Sequence, residues 1–368
     1  MRILYYSDVN SVHTIKWCRY FADKGHDVHV ASFTKIIPHT ETQMQDITVH
    51  WLQNRSVVRG SEIQKLGYLC TIQQAKRLVN EVAPDVIHVH YASSYGFVAS
   101  LAVKRPYYLS VWGSDVYDFP KKSFVHRAAI KRALAKPKWL MSTSSVMAKE
   151  CQRYTNRHFE ITPFGVDMKL FSPEKRIDHE GFVIGTVKML EKKYGIDCML
   201  RACALLHDKR PDLNLRVRIA GTGSMAQQLR ELASSLKMDE YLTWLGFIAQ
   251  EEVVREWASF DIGVIVSESE SFGVAAVEAQ SCGTPLIISD APGLVEACAH
   301  GKTAIVVPRR NPTDLAFALE KLADDPDLRQ KMSLSGINNV KKSYEIDKCF
   351  EKVLKIYEEN LQRDTENY

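Results

Sequence analysis

Two glutamates, Glu270 and Glu278, flank a segment whose residue types suit the binding of a phosphorylated, hydroxyl-rich ligand. If a helix begins around Val274, the backbone N–H groups of Phe272–Val274 form an anion site, which the helix dipole strengthens. Gly273 would let a phosphate approach the backbone closely. The Glu278 carboxylate can accept two hydrogen bonds from vicinal hydroxyls such as those of a ribose, and Glu270 could hold a sugar hydroxyl. The alternative is two surface glutamates beside an ordinary strand–turn–helix.

The elements that would position these residues follow from the alternation of short apolar runs with amphipathic stretches. This alternation predicts an α/β fold of parallel sheets with helices on both faces. The predicted strands are Ile3–Ser7, Val28–Ser32, Val86–Val89, Tyr107–Val111, Trp139–Ser142, Val183–Val187, Leu215–Ile219, Leu242–Leu245, Ile262–Val266, Pro285–Ile288 and Ala304–Val307. The predicted helices include Val12–Asp23, Ile63–Val82, Asp197–His207, Met225–Lys237 and Val274–Cys282.

Length and composition indicate a globular chain of two domains. A chain of 368 residues is longer than a single domain with one hydrophobic core usually is. Its composition of 45% hydrophobic and 25% charged residues excludes a disordered or fibrous chain. A break is predicted near residues 162–178, which contain two prolines, a glycine and a run of charges. The absence of an 18-residue apolar stretch and of a signal-peptide pattern predicts a cytoplasmic protein.

The distribution of charge and the spacing of the cysteines further narrow the possible classes of protein. Residues 1–168 hold 22 Lys and Arg against 13 Asp and Glu, whereas residues 169–368 hold 26 against 31, so the two halves suit different partners. The eight cysteines are scattered and none forms C-x-x-C, which argues against a disulfide framework and a zinc site.

Several motifs together resemble the retaining family 4 glycosyltransferases, also known as glycosyl transferases group 1. The segment ESFGVAAVE has the E-x7-E spacing and is followed by CGTP at 282–285. Further similar motifs, in the family's order, are PFGVD at 163–167 with Phe171-Ser172-Pro173, AGTG at 220–223, LGF at 245–247 and DAPGLVE at 290–296. The resemblance is strong over residues 160–345 and weaker over 1–160.

The resemblance implies the GT-B fold, which consists of two facing Rossmann-like, doubly wound domains with a cleft between them. It places an acceptor-binding domain at 1–165 and a nucleotide-sugar-binding domain at 166–345. A C-terminal helix at about 346–368 would pack back on the first domain.

The resemblance also assigns roles at the donor site. Glu278 would bind the donor ribose and Glu270 the transferred sugar, with Gly293 beside that sugar. Ser271, Phe272, Gly273 and Val274 would cradle the sugar and diphosphate, and the base would lie near Phe247 and Ile248.

One stretch departs from the family, which usually places an Arg and a Lys after the first strand of the second domain to hold the diphosphate. Met189 and Tyr194 stand at those positions here. Lys188 and Lys193 are neighbours that could supply the positive charge which a departing diphosphate requires. The alternative is a pair of solvent-exposed lysines before a helix.

Acceptor contacts are predicted in the first domain. His13, at a predicted strand–helix junction, could touch acceptor or phosphate; the alternative is a surface histidine at a helix start. Trp112 stands where the family often has a histidine, and it cannot relay a proton. Asp115 is the polar candidate beside it, with helix capping as the alternative.

Metal and dinucleotide signals are weak. His88 and His90 alternate on one strand, but no third ligand accompanies them, so hydrogen-bonded histidines are expected. Asp325-Pro-Asp327 is explained by a turn followed by an Asp helix cap. The Gly221-Thr-Gly223 motif lacks the acidic residue that an adenosine ribose needs. No metal and no cofactor are therefore predicted.

A basic segment, Phe119–Trp139, contains seven Lys and Arg and no Asp or Glu. Phe124, Ala128, Ile130 and Leu134 would form an apolar stripe beside Lys121, Lys122, Arg127, Lys131 and Arg132. Such a segment could rest on the anionic inner face of a cell membrane, although an ordinary solvated helix is the alternative. No nucleic-acid motif accompanies it, so nucleic acid is not an expected partner.

The sequence thus predicts a glycosyltransferase that moves a UDP- or GDP-linked sugar to a hydroxyl of a glycan or lipid-linked acceptor. The resemblance implies front-face transfer with retention of the α configuration and suggests envelope or extracellular polysaccharide synthesis. Two alternatives stay open: an NAD-dependent oxidoreductase and a non-catalytic protein that binds sugar nucleotides.

Overall fold

Two compact units make up the chain. The computed structural model describes residues 1–53, 67–299 and 301–366. Unit 1 comprises Met1–Pro163 together with Phe350–Tyr368, and unit 2 comprises Phe164–Cys349. The division at residues 163 and 164 falls inside the segment whose prolines and glycine predict a break.

Unit 1 is built on a parallel sheet with the strand order β3-β2-β1-β4-β5-β6-β7. Its strands are β1 (Arg2–Tyr6), β2 (Asp27–Ser32), β3 (Thr48–Trp51), β4 (Val86–His90), β5 (Tyr108–Val111), β6 (Trp139–Ser142) and β7 (Glu160–Ile161). Its helices are α1 (Val12–Asp23), α2 (Pro38–Gln43), α3 (Ile72–Val82), α4 (Tyr95–Ala102), α5 (Ser114–Tyr117), α6 (Phe124–Ala135) and α7 (Ser145–Cys151).

Unit 2 contains a second parallel sheet, in the order β10-β9-β8-β11-β12-β13. Its strands are β8 (Phe182–Val187), β9 (Leu215–Ala220), β10 (Leu242–Gly246), β11 (Ile262–Ile265), β12 (Leu286–Ser289) and β13 (Ala304–Val307). Its helices are α8 (Ile196–Lys209), α9 (Ala226–Ser235), α10 (Gln250–Ser259), α11 (Val274–Ser281), α12 (Pro292–Ala297), α13 (Pro312–Asp324) and α14 (Pro326–Ser343), and α15 (Ile346–Glu366) runs from unit 2 into unit 1.

The sequence patterns explain why these elements form. Residues Ile3–Tyr6 of strand β1 are fully buried. A parallel strand that is buried on both faces consists of a continuous apolar run, which is the pattern seen in this segment. Helix α1 turns Trp17, Cys18 and Phe21 inward at helical spacing, so one face covers the sheet. The prediction of an α/β fold with two doubly wound, Rossmann-like sheets is confirmed.

The larger differences from the prediction are two strands and one helix boundary, while most other boundaries shift by one or two residues. The edge strands β3 and β7 were not predicted, because Thr48–Trp51 carries mixed polarity and Glu160–Ile161 is only two residues long. The helix predicted over Ile63–Val82 begins at Ile72, after a 3-10 turn over Gly67–Thr71; residues 63–66 lie outside the described residues.

The C-terminal helix α15 contributes its second part to unit 1. Tyr357 is fully buried there and its hydroxyl is hydrogen-bonded to His88 Nδ1 of β4, while the Lys352 ammonium donates to the Ile161 carbonyl over 2.8 Å. Across residues 1–53, 67–299 and 301–366, no helix combines the length and apolar character that a bilayer crossing requires.

Candidate functional site

The donor-site candidates of unit 2 converge where its strand order reverses, between β8 and β11. Open α/β sheets bind ligands at such a point, outside the carboxyl ends of the strands. Lys188 follows β8 directly, and Glu270 lies in the loop after β11. The Lys188 Nζ donates to Glu270 Oε2 over 2.7 Å, and the two side chains are only 12% and 14% exposed. The Ser267 hydroxyl donates to the same oxygen at 3.3 Å.

Lys188 is charged in spite of its burial. Desolvation lowers its pKa, but the Glu270 carboxylate, with help from Tyr194 and Glu278, more than compensates and raises the pKa above the ordinary lysine value. Its ammonium also lies 4.7 Å from the centroid of the Tyr194 ring, and the Lys193 ammonium lies 5.2 Å from the same centroid. The structure therefore gathers two cations around the residue that stands at the family's lysine position.

Glycines shape the loop between Glu270 and the start of α11. Gly273 is the residue before the helix and has φ +91°, a left-handed conformation that other residues adopt at a cost. A Cβ on Gly293 would lie 2.3 Å from the Glu270 carbonyl oxygen, so the first turn of α12 packs directly on the loop that contains Glu270. Helix α11 begins at Val274, as predicted, and its first N–H groups lie next to Glu270 in the chain.

Glu278 and Phe272 take different places around this loop. Glu278 is half-buried one turn into α11, and its charge contributes to raising the pKa of Lys188. The Phe272 ring is 3% exposed and packs edge-on against Tyr344 at 5.5 Å. Ser271 and Val274 are half-buried. The Phe272 ring therefore anchors the loop in the core of unit 2.

The Gly221-Thr-Gly223 motif has a packing role. A Cβ on Gly221 would lie 1.9 Å from the Lys188 carbonyl oxygen, and one on Gly223 would lie 2.3 Å from the Leu190 carbonyl oxygen. The Lys188 N–H donates to the Ala220 carbonyl over 2.9 Å. These glycines allow the loop after β9 to pack closely against the loop that carries Lys188. This packing explains why glycines occupy both positions, and no dinucleotide-binding role is needed to explain them.

An exposed aromatic ring follows β10. Phe247 is 83% exposed, Ile248 beside it is half-buried, and Gly246 before it has φ +68°. Met189, at the family's arginine position, is 57% exposed after β8. A bare ring at the carboxyl edge of a sheet has a face on which a nucleobase could stack.

In unit 1, Trp112 links the three acceptor candidates, because its ring contacts His13 and its N–H donates to Asp115 Oδ1 over 3.2 Å. The His13 and Trp112 rings lie edge to face with centroids 5.9 Å apart, and His90 lies 4.4 Å from Trp112. Burial, followed by the charge of Lys16, lowers the pKa of His13 to about 4, so the ring is neutral at pH 7.

Asp115 is fully buried and its carboxylate binds backbone. Oδ2 accepts from the Ala92 N–H and Oδ1 from the Gly113 N–H, both over 2.8 Å, with a third bond from the Trp112 N–H. Burial raises the pKa of this carboxyl, and the amides oppose the rise. Asp115 thus fixes the loops after β4 and β5. His88 and His90 are hydrogen-bonded, as predicted, to Ser110 and Ser7.

The basic segment of unit 1 corrects one prediction. Lys121, Lys122, Arg127, Lys131 and Arg132 are exposed. The predicted apolar stripe is wrong, because Ile130 and Leu134 are fully buried in the core of unit 1. Phe124 and Val125, at the start of α6, are the large apolar residues that reach solvent, with exposures of 85% and 59%, and Ala128 of the predicted stripe is exposed as well.

Within the described ranges, no three His, Cys, Asp or Glu side chains lie close enough together to hold a metal ion. The helix cap predicted at the Asp325-Pro-Asp327 turn is confirmed, since the Asp325 carboxylate accepts from the Leu328 N–H at the start of α14. That the reaction needs no metal and no cofactor stays a prediction.

Comparison with known proteins places the two units in one enzyme class. Residues 2–144 match the family model of glycosyl transferase 4-like domains, and residues 167–338 match that of glycosyl transferases group 1. The chain belongs to this family of glycosyltransferases. Solved structures show the same fold: sucrose-phosphate synthase from Thermosynechococcus elongatus has a TM-score of 0.85 at 17% identity, covering 99% of this chain and 100% of that one.

Other relatives lie in the same class. Anabaena HepE, solved in complex with UDP-glucose, has a TM-score of 0.80 at 17% identity, covering 98% and 100% of the two chains. The D-inositol 3-phosphate glycosyltransferase of Pseudarthrobacter chlorophenolicus is 35% identical over 52% of this chain and 49% of that protein. The protein of the same name from Stackebrandtia nassauensis is 26% identical over 89% and 82%. The chain thus spans about half the length of the first of these two relatives.

Proposed function

We propose that this protein transfers a sugar from a UDP- or GDP-linked donor to a hydroxyl of a glycan or lipid-linked acceptor, with retention of the α configuration. The observation that carries the proposal is the cluster at the reversal point of the second sheet. There the buried Lys188–Glu270 pair lies beside the glycine-initiated helix that holds Glu278. A role in envelope or extracellular polysaccharide synthesis is the wider setting we propose.

The donor's diphosphate would lie between the first N–H groups of α11 and the Lys188 ammonium. A lysine has three donor hydrogens, so Lys188 can keep its bond to Glu270 and still reach a phosphate oxygen. Lys193, near the same Tyr194 ring, would add a second cation. As the sugar–oxygen bond breaks, these charges stabilise the departing diphosphate, which is the largest contribution we expect to catalysis.

The sugar and nucleoside would occupy the two sides of that diphosphate. Glu270, held by Lys188 and Ser267, would accept from a hydroxyl of the transferred sugar, beside Gly293. Glu278 would accept from the ribose hydroxyls, and the base would stack near Phe247 and Ile248. A UDP-linked donor is supported by HepE, which was solved with UDP-glucose.

No side-chain base is required at the acceptor in this scheme. The acceptor hydroxyl attacks the anomeric carbon on the face from which the diphosphate leaves, and its proton passes to the departing phosphate oxygen. His13 and Trp112 would border the acceptor, and Asp115 would act by holding the loops around them. Rate enhancement then comes from positioning and from charge stabilisation.

A membrane surface is the partner that we propose for the basic segment. The support is the exposed pair Phe124 and Val125 next to Lys121, Lys122 and Arg127. Aromatic and aliphatic side chains enter the lipid interface while basic groups pair with anionic headgroups. This would hold the protein at the inner face of the cell membrane, where a lipid-linked acceptor is available.

A non-catalytic sugar-nucleotide-binding protein is the second candidate. It is favoured by one observation: the exposed Met189 leaves the family's arginine position without a charge. Binding of a sugar nucleotide without turnover on any acceptor or on water would support this candidate over the first.

The experiment that tests the donor site is calorimetric titration of the full chain with UDP, GDP, their common sugar conjugates and NAD. A sugar nucleotide is expected to bind, and Glu278→Gln should weaken it about tenfold, because a charged acceptor of two hydroxyl bonds is lost. The matched control is Glu251→Gln, on the exposed start of α10. Binding of NAD alone, or an unchanged affinity in Glu278→Gln, would overturn the assignment.

A further inference from the structure

A pocket lies entirely within unit 1, at the point where the strand order of its sheet reverses between β1 and β4. It has a volume of about 400 Å³, which is within the range of small-molecule sites. The segments that follow β1, β2, β4 and β5 all border it. It therefore occupies the ligand-binding position of a doubly wound sheet.

One side of this pocket is a rigid aromatic wall. Phe33 stacks on Tyr95 with ring centroids 4.1 Å apart and on Tyr68 with centroids 4.6 Å apart. The Tyr95 hydroxyl accepts from the Phe33 N–H over 3.1 Å, which locks the stack to the backbone after β2. Because these rings already hold one another, a ligand would not have to order them. The C–H face of a sugar ring packs well on aromatic surfaces of this kind.

Another part of the pocket lining is polar and carries Asp8. Its Oδ1 accepts from the Thr34 hydroxyl over 2.6 Å and from the Asn10 N–H over 3.1 Å, so the carboxylate is held in place. Within the part of the chain that the structure describes, Oδ2 accepts no hydrogen bond. An ionised carboxylate oxygen is a strong acceptor for a sugar hydroxyl.

The charge of the pocket decides which ligands fit. Its lining, among the described residues, includes the Asp8 carboxylate but no lysine or arginine. A phosphate group would meet a negative charge with no cation to pair with it, whereas hydroxyls can donate to that charge. This contrasts with the donor site of unit 2, where two lysines surround Tyr194.

We infer that this pocket binds the acceptor through an uncharged sugar ring, so the acceptor's terminal residue is a neutral glycoside and not a phosphorylated sugar or polyol. The inference rests on the proposed function, because it makes the pocket the acceptor side of that reaction. Asp8 would accept from one or two ring hydroxyls, and the sugar ring would lie beside the aromatic wall.

The test compares matched ligands that differ by one phosphate. Saturation-transfer NMR on the full chain would measure binding of methyl glucoside, galactoside, mannoside and N-acetylglucosaminide against the 6-phosphates of the same glycosides. At least one neutral glycoside should bind about tenfold more tightly than its phosphate. Asp8→Asn, which keeps the size of the side chain, should weaken the neutral glycoside about tenfold. Asp46→Asn, 81% exposed in the same unit, is the control and should change nothing.

Tighter binding of the glycoside 6-phosphates than of the neutral glycosides would overturn the inference. So would the absence of binding by every neutral glycoside, tested at concentrations of 20-fold over the protein and higher. Binding of a neutral glycoside that Asp8→Asn leaves unchanged would overturn it as well. UDP titration of the same samples separates this outcome from a failure of the proposed function. Loss of UDP binding would count against the donor site, whereas the part of the glycoside binding that Asp8→Asn removes reports on unit 1.

Discussion

At the scale of single residues, the proposed donor site shows how one residue can supply a positive charge that neighbouring positions lack. Met189 and Tyr194 leave the family's arginine and lysine positions uncharged, yet Lys188 is anchored by Glu270 at 2.7 Å and shielded by the Tyr194 ring. The sequence could identify Lys188 as a candidate from its place alone. It could not predict the ion pair, because the two partners are 82 positions apart and meet only across the reversal point of the sheet.

This arrangement predicts that Lys188 stabilises the transition state. Lys188→Met should lower kcat about 100-fold, the usual cost of removing one preorganised charge or donor from a developing anion. Lys188→Arg should restore part of the rate, because the positive charge returns with different geometry. Steady-state kinetics with the donor that binds in calorimetry would measure both variants.

The control for this prediction is Lys321→Met, on an exposed position in the last turn of α13. It should leave kcat unchanged. A Lys188→Met enzyme that keeps kcat within threefold of the parent, with an unchanged melting temperature, would show that the charge comes from elsewhere.

Contacts between residues from distant segments were the least predictable from sequence. Phe272 is selected by its motif, yet only its position in the fold shows that the ring is buried against Tyr344. Asp115 is similar, since its three bonds to backbone N–H groups come from two separate loops. The aromatic wall of Phe33, Tyr68 and Tyr95 carries no local signal, because it is assembled from three distant segments.

At the scale of elements, strongly apolar strands were predictable and weak edge strands were not. The strands Trp139–Ser142 and Ala304–Val307 begin and end as predicted, since buried parallel strands are continuous apolar runs. Helix α6 shows the limit of that reasoning. Its spacing is amphipathic, but Ile130 and Leu134 are buried in the core of unit 1, and its exposed large apolar side chains are confined to the first turn.

That first turn makes the membrane proposal testable. Phe124→Ala should reduce binding to vesicles that contain anionic lipid about tenfold, because burying a phenylalanine side chain is worth about 1.5–3 kcal/mol. Raising the salt concentration should weaken the remaining binding, since the surrounding lysines and arginines act electrostatically. Vesicle co-sedimentation measures both effects.

A matched variant is available in unit 2. Phe317 is 59% exposed on α13, so Phe317→Ala removes a similar apolar surface away from the basic segment. It should leave vesicle binding unchanged. Equal losses in the two variants, or no dependence of binding on anionic lipid, would contradict a specific role for the start of α6.

At the scale of the whole molecule, the two units differ in how they bury histidine. In unit 1, His88 and His90 of β4 are fully buried. Burial lowers the pKa of His88 to about 3 and that of His90 well below its ordinary value. In unit 2, the described residues 164–299 and 301–349 include no fully buried histidine. Among the described residues, the fully buried histidines that make a strand sensitive to acid therefore lie in β4 of unit 1.

This asymmetry predicts that acid destabilises unit 1 first. The unfolded chain binds protons near the ordinary histidine pKa of about 6.5, whereas folded His88 stays neutral until about pH 3. The free energy of unfolding is therefore greatest above pH 6.5 and falls as the pH drops, by an amount on the order of 2 kcal/mol for His88 between pH 7 and 5, and His90 acts in the same direction. Hydrogen exchange followed by mass spectrometry, corrected for intrinsic rates, should show β1 and β4 peptides losing protection over that range. Peptides of β8 and β11 serve as the internal control, and their losing protection first would refute the assignment.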